Sequence, residues 1–348
     1  MPFIKCTFFE KKLSILISIM IHKKGRFVEL DAFRGLAAIM VLYFHYTSQY
    51  RIYYGHNFSS QFDFGLGKHG VSFFFIISGF VIYLTVEKVE NVKQFLIRRF
   101  SRLYPVYWFC LLVSFVLVSL YGLQGKETTL KEAFIGLTMI QDLLNVRHVD
   151  ESYWSLLPEL QFYGFMAVLI LINQRKYIIH WAVLWVVVTT LISVSTISGV
   201  SGFYKFRYNV LFLTGMLFYQ IWKGNKKMII HFLIFLCFLL WSFLIKNTGV
   251  IILSGTFFML FYVVCFAEVG FLKNPVFTFL GRISYPLYLL HQFIGYIIMN
   301  NIKPYFGNNI WLMVGVPGVI VISLAWVVSK YIEYPSIKMT RSLFRRVY

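Results

Sequence analysis

The sequence predicts an all-α integral membrane protein, a polytopic bundle of about ten transmembrane helices with both termini in the cytoplasm. Three observations lead to this prediction. The 348 residues are 59% hydrophobic and only 14% charged, whereas about one quarter of a soluble chain is charged. Apolar blocks long enough to cross a hydrocarbon core of about 30 Å recur along the whole chain. Lys and Arg residues fall between these blocks rather than on amphipathic faces.

The apolar blocks give the approximate bounds of the predicted helices: 30–50, 70–87, 103–121, 157–173, 177–198, 207–222, 228–245, 249–267, 283–300 and 310–331. Residues 1–29 are expected to form a cytoplasmic segment, 30–331 the transmembrane domain and 332–348 a basic cytoplasmic tail. Met20 is a second plausible start. The longest connection, 122–156, lies on the predicted outer side, and loops of this length are often functional.

The distribution of positive charge predicts the orientation. With the N-terminus inside, 23 Lys and Arg residues fall on the inner side and nine on the outer side, as the positive-inside rule requires. We therefore attribute the net charge of +19 to loops at an anionic lipid surface, and we expect no nucleic-acid partner. The four cysteines are scattered without a C-x-x-C pair, so we expect neither disulfides nor a metal site.

The first predicted helix carries polar residues on one face. Arg34 and His45 are 11 residues apart, which on an ideal helix is about 20° from a whole number of turns and roughly 16 Å along the axis. Asp31 precedes Arg34 by three positions, close enough to pair with it. A membrane His is a candidate general base. A structural explanation stays open, with Arg34 reaching the inner interface and His45 bonded to a neighbouring helix.

Two further polar stripes follow helical spacing: Ser155, Glu159 and Tyr163 in the fourth predicted helix, and Ser284, Tyr288 and His291 in the ninth. Glu159 is a candidate to orient His45 or to stabilise the imidazolium that forms when His45 takes a proton. The alternative is a carboxylate placed at the positive end of the helix dipole. His291 is the rival to His45 as a base.

Six segments, in this order, resemble the membrane acyltransferase 3 family: LDAFRGLAAIMVLYFHY, FFFIISGFVI, RRFSRLYPVYW, YWSLLPELQFY, GRISYPLYLLHQ and YIEYP, which begin at residues 30, 73, 98, 153, 281 and 331. Each segment is weak evidence alone, but their order along essentially the whole chain is specific. One departure is Pro158 directly before Glu159, where an unbroken helix favours another residue.

The resemblance implies an O-acyltransferase of the bacterial cytoplasmic membrane. Acyl-CoA would be the cytoplasmic donor substrate, with acetyl first and succinyl second, and no cofactor would be tightly bound. The acceptor would be a hydroxyl of an extracytoplasmic polysaccharide, such as O-antigen or exopolysaccharide, or of a lipid-linked glycan. The implied site residues are His45, Arg34 and Glu159 for catalysis, Arg98, Arg99 and Arg102 for the donor phosphates, and Trp154, Ser155, Tyr288 and His291 for substrate.

Several alternatives remain open from the residues alone. His45 acts either as a general base or as a transient acyl carrier. The arginines of the third helix either bind phosphate or anchor the topology beside acidic lipid head groups. A flippase for an envelope glycan precursor would use the same polar stripes as a pathway. The membrane-bound O-acyltransferase family also uses a buried His, but places it late in the chain, and a non-catalytic scaffold is the remaining option.

Overall fold

The structure is a computed structural model that describes residues 28–194 and 203–345. Its regular structure is helical, and these two ranges contain no β-strand. The α-helices are α1 Val28–Phe44, α2 Gly70–Glu87, α3 Val92–Tyr121, α4 Leu130–Gly136, α5 Leu156–Leu171, α6 Ile178–Val194, α7 Asn209–Trp222, α8 Met228–Ile245, α9 Thr248–Phe266, α10 Pro275–Phe306, α11 Ile310–Val328 and α12 Tyr334–Arg345. The all-α class is confirmed. Three parts of the chain lie outside the described residues: residues 1–27 of the predicted segment 1–29, the end of the fifth predicted helix and residues 346–348.

Each of the ten predicted helices coincides with a helix of the structure over its described residues. Among the described residues, seven segments are long and apolar enough to cross a membrane, and they include all or most of α2, α3, α5, α6, α8, α9 and α11. The other three predicted spans are α1, α7 and α10, whose side chains are largely buried against neighbouring helices. The arrangement suits a multi-pass membrane protein, while ten spans and two cytoplasmic termini stay predictions.

Helices α1 and α10 pack closely at the centre of the bundle. A Cβ atom on Gly281 would lie 1.8 Å from the carbonyl oxygen of Asp31, and one on Gly295 would lie 2.3 Å from the ring of Tyr46. Only glycine allows this approach. The Tyr46 hydroxyl also donates to the carbonyl of His291 at 2.8 Å. These contacts fix how α1 lies along α10, and they bring His45 opposite His291.

Helix α3 begins much earlier than predicted. It starts at Val92 rather than near residue 103, because the Asn91 side chain caps it by accepting from the Gln94 amide at 2.9 Å. Three arginines that were expected to open this helix therefore lie inside it: Arg98, Arg99 and Arg102. The hydropathy pattern missed the first turns since they carry basic residues. Helix α10 likewise begins at Pro275, after an Asn274 cap.

Two π turns interrupt the helices. After α1, a π turn at His45–Gln49 leads into a last α-helical segment, Tyr50–Tyr54. A second π turn, Ser329–Glu333, joins α11 to α12, so most of the predicted basic tail continues as helix. Such turns are rare in proteins, and those that do occur are often at functional sites. His45 opens the first of them.

Pro158 does not break the fourth predicted helix. It lies in the first turn of α5, where a backbone N–H has no partner inside the helix and proline is tolerated. Glu159 therefore stands on a continuous helix.

The long connection before α5 packs against the middle of α3. Its helix α4 begins with a capping box between Thr129 and Glu132. Tyr107 and Trp108 of α3 donate to the carbonyls of Gly136 and Leu137, at 2.7 and 2.9 Å. The loop is thus held as a defined structure beside the bundle.

Candidate active site

Two histidines meet where α1 passes into its π turn. His291 Nε2 lies 3.1 Å from His45 Nδ1, and the ring planes are 75° apart with centroids separated by 4.7 Å. His45 Nδ1 also lies 2.8 Å from the carbonyl oxygen of Val41. His291 Nδ1 lies 2.7 Å from that of Tyr288. The pair joins the first helix of the sequence to the ninth predicted one.

The two carbonyl contacts assign the tautomers of both rings. A carbonyl oxygen only accepts, so the hydrogen sits on Nδ1 of His45 and of His291. His291 Nε2 then accepts from His45 Nδ1–H, and His45 Nε2 keeps its lone pair. None of the described residues donates a hydrogen bond to His45 Nε2. This half-buried lone pair suits a general base or an acyl acceptor.

A partly open cavity lies between α1, α2, α3, α5 and α10. It has apolar walls, mostly from α2, and a polar lining made of Arg34, Ser78, Arg99, Arg102, Ser155, Glu159, Ser284, Tyr285 and Tyr288. Neither His45 nor His291 lines it. Tyr288 stands between, because its side chain faces the cavity and its carbonyl accepts from His291.

Three guanidinium groups converge on this cavity, against the single carboxylate of Glu159, which leaves an excess of two positive charges in the lining. Arg99 is buried, donates to the Thr85 hydroxyl and lies 5.5 Å from the centre of the Tyr163 ring. Arg34 and Arg102 form neither a hydrogen bond nor an ion pair with any residue in the described ranges. Unpaired guanidinium forks suit a phosphate-bearing ligand.

Glu159 lies on the cavity side of the histidine pair. Its carboxylate accepts from the Tyr163 hydroxyl at 2.5 Å and from Ser78 Oγ at 3.4 Å. Its electrostatic effect falls on Arg34 and Arg99. No described hydrogen bond joins Glu159 to His45, so its predicted catalytic role stays a prediction.

The remaining predicted residues divide between the cavity and its surroundings. Ser155 donates to the Tyr288 hydroxyl at 2.8 Å, and both line the cavity. Arg98 is exposed and does not line it. Trp154 packs on Tyr208, with a centroid separation of 5.4 Å, and also lies outside the cavity lining.

Sequence reasoning missed the residue that docks the outer loop beside the histidines. Asp150 is fully buried, and its carboxylate accepts from the Ser152 amide at 2.9 Å and from the Phe293 amide of α10 at 3.0 Å. Burial raises the pKa of Asp150 to about 6, against the effect of these hydrogen bonds. The only local signal was an acidic residue at a helix start, which is a common N-cap.

Comparison with known proteins decides the family. The acyltransferase 3 model, described as an acyltransferase domain, matches residues 27–329. The chain belongs to this family. Five of the six sequence segments that suggested it lie inside the match, and the last, at 331–335, lies just beyond it.

Curated relatives carry related names. A Staphylococcus aureus (strain COL) protein named "Putative O-acetyltransferase" is 24% identical over an alignment of 321 positions, which covers 78% of this chain and 51% of that protein. A strain N315 protein of the same kind has the same identity and coverage. Acyltransferase MdmB of Streptomyces mycarofaciens is 31% identical over 108 residues, 28% of this chain and 27% of that protein. The chain spans about half the length of the Staphylococcus relatives. No solved structure matches it.

Proposed function

We propose that the protein is a membrane O-acyltransferase that moves an acyl group, acetyl in the first instance, from cytoplasmic acyl-CoA to a hydroxyl of an extracytoplasmic glycan. The acceptor is a surface polysaccharide or a lipid-linked oligosaccharide, and the site is the bacterial cytoplasmic membrane. The observation that carries the proposal is the arginine-lined cavity next to the His45–His291 pair. Family membership supports acyl transfer, and the names of the Staphylococcus relatives support acetyl.

The donor half of the proposal rests on charge. Acyl-CoA carries several phosphate charges, and the cavity lining has an excess of two positive charges. In this proposal Arg34, Arg99 and Arg102 hold phosphate oxygens, because guanidinium groups form charge-assisted hydrogen bonds to them. The pantetheine arm follows the apolar α2 wall, and the thioester reaches His45 past Tyr288.

The transfer step uses the free lone pair of His45. Its Nε2 takes the proton of the acceptor hydroxyl while that oxygen attacks the thioester carbonyl. The new C–O bond forms, the C–S bond breaks, and the CoA thiolate leaves and recovers the proton from the imidazolium. His291 Nε2 accepts from His45 Nδ1–H throughout and stabilises the imidazolium. The second route has His45 Nε2 attack the thioester first and pass the acyl group on.

The test compares wild type and His45→Ala in proteoliposomes with labelled acetyl-CoA, together with mass spectrometry of envelope glycans from cells with and without the protein. We expect acyl-CoA-dependent ester formation that is lost in His45→Ala, although the variant inserts and unfolds like wild type. Ester formation by His45→Ala would overturn the mechanism. Glycan movement without consumption of acyl-CoA would favour a flippase. A burst of label on the protein before acceptor is added would select the acyl-His route.

A further inference from the structure

A second polar cluster lies beyond the histidine pair, and acyl-CoA binding leaves it unused. We call it the outer hub, and it consists of Tyr53, Lys126, Glu151 and Gln292. The Glu151 carboxylate is its centre. Tyr53 and Gln292 donate to Oε2 at 2.9 and 3.1 Å, and Lys126 Nζ lies 2.5 Å from Oε1. The hub therefore joins the end of the first helical run, the outer loop and α10.

The outer hub lies next to the reacting atoms, on the side away from the cavity. Along the first helix, His45 separates Arg34 of the cavity from Tyr53 of the hub. Along α10, His291 separates Tyr288 of the cavity from Gln292 of the hub. Glu151 also exerts an electrostatic effect on His45. A ligand in the hub would thus approach His45 from the side opposite to the donor.

The outer hub is partly exposed to solvent, and it also contacts buried polar atoms that have no hydrogen-bond partner among the described residues. The side chain of Glu151 is 38% exposed, and that of Lys126 is 17% exposed. Beneath them, the Gln292 Oε1 and Tyr296 OH atoms are buried without a hydrogen-bond partner among the described residues. Buried polar atoms are normally paired with protein, water or ligand. Those two atoms therefore indicate a place where a ligand or water completes the structure.

Docking of the loop does not by itself explain the hub. Asp150, which is buried and bonded to the Phe293 amide, already fixes the loop on α10. An exposed ion pair such as Lys126–Glu151 contributes little to stability. The cost of keeping charged side chains beside His45 is better explained by binding.

We propose that the outer hub is the acceptor subsite and that it binds a neutral sugar unit with adjacent hydroxyls; this inference rests on the proposed function. The carboxylate of Glu151 accepts from one hydroxyl, and the ammonium of Lys126 donates to its neighbour. Their charges cancel, so the hub does not attract an anion as the cavity does. The rings of Tyr53, Tyr54 and Tyr296 pack together beside it, with centroids about 6 Å apart. The exposed part of the Tyr53 ring offers an apolar surface to the C–H groups of a sugar.

The experiment measures acetyl transfer in proteoliposomes at saturating labelled acetyl-CoA, with de-esterified envelope glycan from cells that lack the protein as the varied acceptor. Glu151→Gln and Lys126→Gln should each raise the half-saturating glycan concentration about tenfold, as expected for losing a charge-assisted hydrogen bond. The half-saturating acetyl-CoA concentration should stay within about twofold of wild type. Arg147→Gln is the matched control, because Arg147 pairs with Glu132 in the same loop, away from the hub, and should change neither value.

The outcomes separate this inference from the proposed function. If wild type transfers no acetyl group to the glycan, the proposed function fails. If wild type transfers and the hub variants keep the wild-type half-saturating glycan concentration, the acceptor subsite is wrong. A lower maximal rate at an unchanged half-saturating concentration also overturns it, since it places the effect on His45. Tyr53→Phe, which removes one hydroxyl, keeps the test decisive if a charge variant fails to fold.

Discussion

The cavity and the outer hub lie on opposite sides of one pair of histidines and solve different electrostatic problems. The cavity gathers three guanidinium groups against one carboxylate, and two of those guanidinium groups have no partner among the described residues. The hub has one ammonium and one carboxylate, 2.5 Å apart. An anion can therefore enter the cavity without breaking an ion pair, whereas a neutral polar ligand suits the hub. In the proposed mechanism, this difference in charge balance distinguishes the donor side from the acceptor side.

The two regions also differ in what holds them. The cavity is built on five helices of the bundle. The hub depends on a loop that is fixed by Asp150 and, further out, by the ion pair between Asp142 and Lys205. Changes in the loop should therefore alter the acceptor side while leaving the donor side intact.

The largest expected effect follows from removing cavity charge. The double variant Arg34→Gln/Arg102→Gln should raise the half-saturating acyl-CoA concentration about a hundredfold, because each lost phosphate contact removes roughly 1.5 kcal/mol or more. The half-saturating glycan concentration should not change. Arg98→Gln is the matched control, since Arg98 is exposed outside the cavity lining. An equal effect of Arg98→Gln would show a general influence of membrane surface charge instead.

The next largest effect is expected at His291, which lies between the cavity and the outer hub. His291→Gln should lower the maximal rate on the order of tenfold by removing one of the two acceptors of His45 Nδ1–H, the other being the Val41 carbonyl. Both half-saturating concentrations should stay near wild type, because His291 holds neither ligand in the proposal. Steady-state kinetics with each substrate varied in turn provides the measurement. A selective loss of acceptor affinity would mean that His291 belongs to the glycan site.

A smaller effect tests whether Glu159 acts on the ligand in the cavity or orients the base, His45. Glu159→Gln removes the one negative charge of the lining, so acyl-CoA should bind roughly two- to fivefold more tightly. If Glu159 instead orients His45, the maximal rate should fall by about a hundredfold or more. Substrate titrations distinguish the two results, with Ser78→Ala as a control that keeps the charge but loses one contact to the carboxylate.

The smallest effect on turnover is expected from breaking the ion pair between Asp142 and Lys205, which helps to fix the loop. Lys205→Met should lower the unfolding temperature yet keep the acetylation rate at room temperature within about twofold, because Asp150 still fixes the loop on α10. Burial alone would raise the pKa of Asp142, but hydrogen bonds from His148 and Lys205 outweigh it and lower that pKa below 3.8. The stabilisation is fully present above pH 3.8 and is lost as pH falls through the lower folded value. Thermal unfolding against pH should therefore show wild type and variant converging in acid.

The sequence predicted much of the architecture, while the roles of the predicted site residues stay predictions. Hydropathy located ten of the twelve numbered helices, all but α4 and α12, and ideal helix geometry predicted one face for Arg34 and His45. The early start of α3 escaped hydropathy because Lys93, Arg98 and Arg99 lower it. A local feature, the Asn91 cap, fixes that start instead.

Tertiary pairing explains what the sequence could not predict. His45 and His291 are 246 residues apart, and their contact depends on the close packing of α1 on α10 at Gly281 and Gly295. No periodicity encodes that pairing. The outer hub could not be predicted for the same reason, since the three residues that donate to Glu151 come from distant parts of the chain.

The π turn at His45–Gln49 gives the first helix a shift of phase. One extra residue in a turn rotates everything that follows by about 100° relative to an uninterrupted α-helix. Arg34, before the turn, lines the cavity, and Tyr53, after the turn, belongs to the outer hub. The extra residue of the π turn therefore sets the angle at which this helix presents one face to the cavity and another to the outer hub.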